Sequence, residues 1–162
     1  FSTLHTNNSA GAIPRLVDLG AKINVIAPAL SFIISQRLVR RLCKECAQEM
    51  EIDEEARGNI DKFLANLPKK VSHENMEKKL YKAVSCEKCT NGYKGRIAIT
   101  ELLRVDEKIS ALVQANQIED VIQKTAVEDQ GMILIQQDGI LKALDGITTL
   151  EEVVRETGPL EW

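Results

Sequence analysis

Cys43 and Cys46 in "CKEC", and Cys86 and Cys89 in "CEKC", are the residues whose type and spacing can do chemistry. A two-residue gap lets one turn of backbone aim both sulfurs of a pair at a single point. Two such knuckles facing each other build a tetrahedral thiolate cage. Zinc is the natural occupant of such a cage. Two disulfides in a secreted chain, or an iron centre with four thiolates, share the spacing, but neither further extracellular signs nor redox partner motifs accompany it. A closed set of four ligands leaves no open coordination position, so the expected role is architecture rather than metal catalysis.

Zn²⁺ with four thiolates carries a formal charge of −2, which nearby cations should favour. Arg41, Lys44, Lys88, Lys94 and Arg96 lie beside the ligands in sequence and are expected to support the deprotonated sulfurs. Gly92 and Gly95 suit the tight turns that direct backbone N–H groups at sulfur. Of the two histidines, His73 reads as a solvated loop residue, since four cysteines already complete a tetrahedral site. His5 stands near the start, between a short apolar lead-in and a polar turn.

The elements that must position these residues follow from periodicity. Ala10, Ile13, Leu16 and Val17 fall on one helical face between Ser9 and Asp18, with Asn8 or Ser9 as cap and Gly20 beyond the end. A second, densely apolar helix is expected from Asn24 to Ser35. "QRLVRRL" reads as a strand running into the first knuckle, and "GRIAITELL" as a strand leaving the second. Side by side, these strands make a stem from which the knuckles converge. Between the knuckles, residues 49–67 read as a helix with Ile52, Ile60, Phe63 and Leu64 inward, stopped by Pro68.

From Asp106 the pattern is helical. Asp106 caps a helix bearing Ile109, Leu112 and Val113, and Asn116 is expected to cap the next, bearing Ile118, Val121 and Ile122. A third, broken or kinked near Gly139, spans Met132 to Leu144. In the last, Thr149 and Glu152 form a capping box ahead of Leu150, Val153 and Val154, and Gly158 with Pro159 ends it.

Composition excludes several classes. The chain is 44% hydrophobic over 162 residues, enough to bury a real core. The longest apolar run, Val25 to Ile34, is interrupted by Pro28 and Ser31 and falls short of the roughly 20 residues of a membrane-spanning helix. A net charge of −3 with only 4% aromatic residues argues against a nucleic-acid surface.

"STLHTN" followed by "GAIPRLVDLG", then "ALSFIISQRLVRRLC", the paired CxxC knuckles, "NGYKGRIAITELL" and "GITTLEEVVRETG" together resemble the C-terminal part of the ATPases of type II secretion and type IV pilus assembly. The resemblance implies an α/β fold: the C-terminal portion of a RecA-like ATPase core with an inserted tetracysteine zinc module and a C-terminal helical bundle. In these terms residues 1–42 end the core, 43–95 form the metal module, 96–105 are a returning core strand and 106–162 a helical subdomain.

The same resemblance implies a P-loop motor that hydrolyses ATP with Mg²⁺, works as a homo-hexamer, and docks from the cytoplasm on an inner-membrane platform protein without inserting in the membrane or binding nucleic acid. It carries His5 over as the histidine-box residue near the γ-phosphate. It carries Arg96 over as an arginine near the nucleotide base, and a counter-charge for the cage is the competing role. No GxxxxGK followed by Ser or Thr is present, so the nucleotide-binding half is expected ahead of Phe1 and this stretch alone is expected to be inactive. A non-enzymatic zinc-ribbon adaptor that binds protein or nucleic acid is the alternative.

Overall fold

A computed structural model describes residues 2–68, 71 and 79–160. The chain order is α1 (Ala12–Asp18), α2 (Ile23–Ala29), β1 (Phe32–Leu42), β2 (Gln48–Met50), α3 (Glu54–Ala65), β3 (Leu80–Lys82), β4 (Tyr93–Arg104), α4 (Glu107–Gln114), α5 (Glu119–Thr125), a π-helical turn (Ala126–Gln130), α6 (Ile135–Leu144) and α7 (Leu150–Thr157). The described residues thus form a mixed α/β fold with two two-stranded sheets, β1 with β4 and β2 with β3. No helix among them is long and apolar enough to cross a membrane.

The anticipated stem is present. Val105 N–H donates to Ser31 O at 2.8 Å and Cys43 N–H to Gly92 O at 2.9 Å. These bonds lie at opposite ends of the pair, so β1 and β4 run antiparallel. Two compact units divide the chain, Phe1–Gln36 with Thr100–Leu134, and Arg37–Ile99 with Ile135–Trp162. The first is built on Ile13, Ala27, Leu103, Ile109, Val113 and Ile122. The second gathers Ile60, Phe63, Leu64, Leu80, Ile140 and Val153, with Ile52 packed against them.

Several expectations change in detail. The second helix ends at Ala29 instead of Ser35. Pro28 lies inside it and has no N–H to donate back, and Leu30 is already extended at φ −80°, ψ 131°. Phe32, Ile33 and Ile34, good strand formers, then pair with β4. Asn116 ends α4 instead of capping α5. At φ 52° it sits in the left-handed region, with its N–H on Val113 O and that of Gln117 on Leu112 O, a Schellman closure.

Gly139 does not break α6, which is continuous. A Cβ there would lie 2.8 Å from Val153 Cγ1, so glycine lets α7 come close. The caps on Asp106 and Thr149 are as expected: Asp106 accepts from Ile109 N–H and Thr149 from Glu152 N–H. His73 lies outside the described residues.

Candidate metal centre

Each CxxC folds as one backbone turn. Cys46 N–H donates to Cys43 O and Cys89 N–H to Cys86 O, both at 3.3 Å, and Ala47 N–H also reaches Cys43 O at 2.9 Å. The first knuckle leaves the end of β1 and the second precedes β4, so the antiparallel pair holds them together. A second clasp joins them from the other side. Gln48, Glu49 and Met50 of β2, directly after the first knuckle, pair with Lys82, Tyr81 and Leu80 of β3, just before the second. This ladder is not apparent in sequence, because three polar or mixed residues per strand give no period to detect.

The four sulfurs converge. Cys43 and Cys86 Sγ are 3.9 Å apart, Cys46 and Cys89 3.6 Å, and Cys86 and Cys89 3.5 Å; all four lie within 4.8 Å of one another. With metal–sulfur bonds of about 2.3 Å, a regular tetrahedron has sulfur–sulfur edges of about 3.8 Å. The spacing therefore fits a single tetrahedral ion. None of the four sulfurs is in a disulfide, and Cys43 is fully buried.

The protein also tunes the ligands. Cys86 N–H donates to the Cys89 sulfur at 3.3 Å, and this bond leads in lowering the Cys89 thiol to about 7, with Gly92 N–H contributing. Burial pushes the Cys46 thiol up. A divalent ion bound there would draw the protons from all four sulfurs. Gly92 is required by space as well as by conformation. Its φ is 82°, and an added Cβ would lie 2.6 Å from Ala83 Cβ and 2.8 Å from Val84 N.

The flanking cations are less committed to the sulfurs than their sequence positions suggest. Lys88 reaches Glu45 at 3.4 Å, both well exposed. Arg41, Lys44, Lys94 and Arg96 are exposed. Arg96 lies on β4 in the second unit, whereas His5 lies in the first, exposed in an irregular segment ahead of α1. Four residues after His5, Ser9 anchors that segment: its N–H and Oγ donate to the buried Glu101 carboxylate at 2.9 and 2.5 Å. Asn8 Nδ2 donates to Glu119 at 2.6 Å, and its Oδ1 accepts from Gly11 N–H.

A further cluster braces the stem beside the cage. The Glu152 side chain, 2% exposed, does not close the expected capping box back onto its own helix end. Its Oε1 accepts from Arg40 Nη2 at 2.5 Å and Arg155 Nη1 at 2.7 Å, and its Oε2 accepts from Arg40 N–H at 3.0 Å and Arg155 Nη2 at 2.7 Å. The Arg40 guanidinium lies 4.1 Å from the Tyr93 ring centroid, and Tyr93 Oη shares a hydrogen bond with Thr149 Oγ1 at 3.0 Å. Sequence offers no hint of a pair 112 positions apart.

The chain is 41% identical over 158 residues to a type IV pilus assembly ATPase PilB of Thermus thermophilus, covering 97% of this chain and 17% of that protein. It is 38% identical over 158 residues to a type II secretion system ATPase E of Vibrio cholerae, covering 97% and 29%, and 35% identical over 165 residues to a PilB of Pseudomonas aeruginosa, covering 97% and 26%. The chain thus spans less than a third of the length of these relatives. Type II/IV secretion system proteins, as a family, match residues 1–155, and the chain belongs to that family.

Proposed function

We propose that this chain serves as the C-terminal part of a secretion or pilus-assembly ATPase, where it forms the end of a RecA-like core, a zinc-braced module and a helical subdomain. The observation that carries this reading is the family match over nearly the whole chain, to relatives named as ATPases. In this reading Cys43, Cys46, Cys86 and Cys89 hold zinc, whose contribution is a cross-link between β1 and β4 and not a chemical step. The fit of the sulfur spacing to a four-thiolate cage supports the assignment.

His5 faces the γ-phosphate of ATP·Mg²⁺ in the intact motor. Its imidazole can donate or accept a hydrogen bond, which suits it to report the nucleotide state or to steady a catalytic carboxylate. The bonds from Ser9 to Glu101 and from Asn8 to Glu119 fix the segment that carries it. Arg96 sits near the nucleotide base. The phosphate loop and the acidic groups that organise Mg²⁺ belong to upstream sequence, so these 162 residues alone turn over no ATP. The motor acts as a cytoplasmic hexamer on an inner-membrane platform protein.

The test is ATP hydrolysis by this chain alone and by the parent protein carrying it, with and without His5→Ala. The expected result is no turnover above blank for the chain, turnover for the parent, and a loss of kcat in the variant at unchanged metal content. Turnover by the isolated chain contradicts the reading of its incompleteness, and an unaffected variant contradicts the role of His5.

A further inference from the structure

We propose that Asn91 is a deamidation site gated by the metal cage, and that modification there turns a transient loss of metal into a permanent one. The inference rests on the reading that the four cysteines hold zinc. Asn91–Gly92 is the single Asn-Gly pair in the sequence. A following glycine has no Cβ to obstruct attack by its own backbone nitrogen on the asparagine side chain. In the reaction, Gly92 N forms a bond to Asn91 Cγ while the Cγ–Nδ2 bond breaks, and the amide proton, relayed through water, leaves with the –NH₂ group as ammonia. Water then opens the five-membered imide at either carbonyl, giving aspartate or isoaspartate. The co-reactant is water, and no oxidation state changes.

Asn91 is exposed, so water and base reach it. The turn nevertheless opposes the attack. Asn91 at φ 52° and Gly92 at φ 82° are the two central residues of a type I′ turn. Tyr93 N–H to Thr90 O at 3.0 Å and Thr90 N–H to Tyr93 O at 3.1 Å close it. The next carbonyl is tied to the opposite knuckle, Gly92 O accepting from Cys43 N–H at 2.9 Å. Gly92 is also wedged against Ala83 and Val84.

The carbonyl of Gly92 is held by the backbone of a cage cysteine, so a bound ion that fixes the sulfurs also holds the turn that carries the nucleophile. Removing the ion frees the turn to open locally. Isoaspartate then adds a methylene to the backbone of a two-residue turn and a negative charge beside four sulfurs, and each change opposes re-formation of the cage.

The experiment divides zinc-loaded chain into a retained and a chelator-stripped sample, both kept reduced at neutral pH. Zinc content is measured before incubation, the peptide containing Asn91 is followed by mass spectrometry and isoaspartate assay, and zinc is then offered back. Deamidation at Asn91 is expected to be at least roughly tenfold faster in the stripped sample, with zinc recapture falling in step. Asn91→Gly, which suits the turn, is expected to keep full recapture through the same incubation. Equal rates in zinc-bearing and stripped chain overturn the gating, and full recapture by modified chain overturns the permanence. A loaded chain that holds no zinc at the outset overturns the metal reading itself, before any deamidation is measured.

Discussion

Replacing Glu152 by Gln isolates what the buried carboxylate contributes beside the cage. Each of its oxygens accepts two donors, one from Arg40 and one from Arg155. A Gln amide therefore sets its NH₂ against two donors in either orientation, while the shape of the side chain is kept. Removing one partner of a buried ion pair costs about 3–5 kcal/mol, but Arg40 and Arg155 are 40% and 46% exposed and can rehydrate. The loss expected at neutral pH is accordingly about 2–3 kcal/mol, in line with hydrogen bonds to charged groups. That corresponds to a fall in melting temperature of very roughly 5–10 °C for a chain of this size.

The pH dependence sharpens the prediction. Burial acts to raise Glu152, but the hydrogen bonds from the Arg40 guanidinium and backbone N–H, with Arg155, outweigh it and hold the carboxyl below its ordinary value of 4.5. A group with a depressed folded pKa contributes stability above its unfolded pKa and loses it as pH falls through the folded one. The gap between native chain and Glu152→Gln, measured by urea unfolding from pH 7 downward, should be full at neutral pH and shrink below about 4.5. A gap under about 0.5 kcal/mol at pH 7, or one unchanged by acid, refutes the reasoning.

Other substitutions test other parts of the structure. Gly139→Ala puts a Cβ 2.8 Å from Val153 Cγ1 and should destabilise by about 1–3 kcal/mol through overpacking of α6 on α7, read by urea unfolding. Asp106→Ala removes the acceptor for Ile109 N–H at 3.0 Å and should cost about 1 kcal/mol, with faster hydrogen exchange at the first turn of α4. Gly92→Ala, strained at φ 82° and blocked by Ala83, should weaken zinc retention against a chelator while leaving α4 and α5 unaffected by hydrogen exchange. Cys86→Ser should lose the metal outright, judged by elemental content.

The features legible in sequence were those in which a short local pattern carries the physics. Two CxxC spacings sufficed to anticipate four sulfurs meeting, since each spacing is one turn of backbone. The alternation in "GRIAITELL" announced a strand, and Asp106 and Thr149 announced helix starts because their side chains reach amides three residues on. Asn116 misled because asparagine suits both an N-cap and a left-handed C-terminal turn. Gly139 misled because a glycine needed for close approach looks the same in sequence as one that breaks a helix.

What sequence could not carry were interactions set by the fold. The β2–β3 clasp consists of three residues per strand, brought together by the knuckles they flank. The acceptance by Glu152 of Arg40, and by Glu101 of Ser9 from 92 positions away, depends on how elements meet and not on any period along the chain. The flanking lysines and arginines were legible as charge, but Lys88 is shared with Glu45, as exposed charges with several available partners commonly are.

The central claim is that four sulfurs hold one ion, and X-ray absorption at the zinc edge on loaded chain tests it most directly. The account predicts about one zinc per chain, surrounded by four sulfur scatterers at about 2.3 Å. A shell containing nitrogen or oxygen, or a chain that retains no zinc after removal of excess metal, contradicts it.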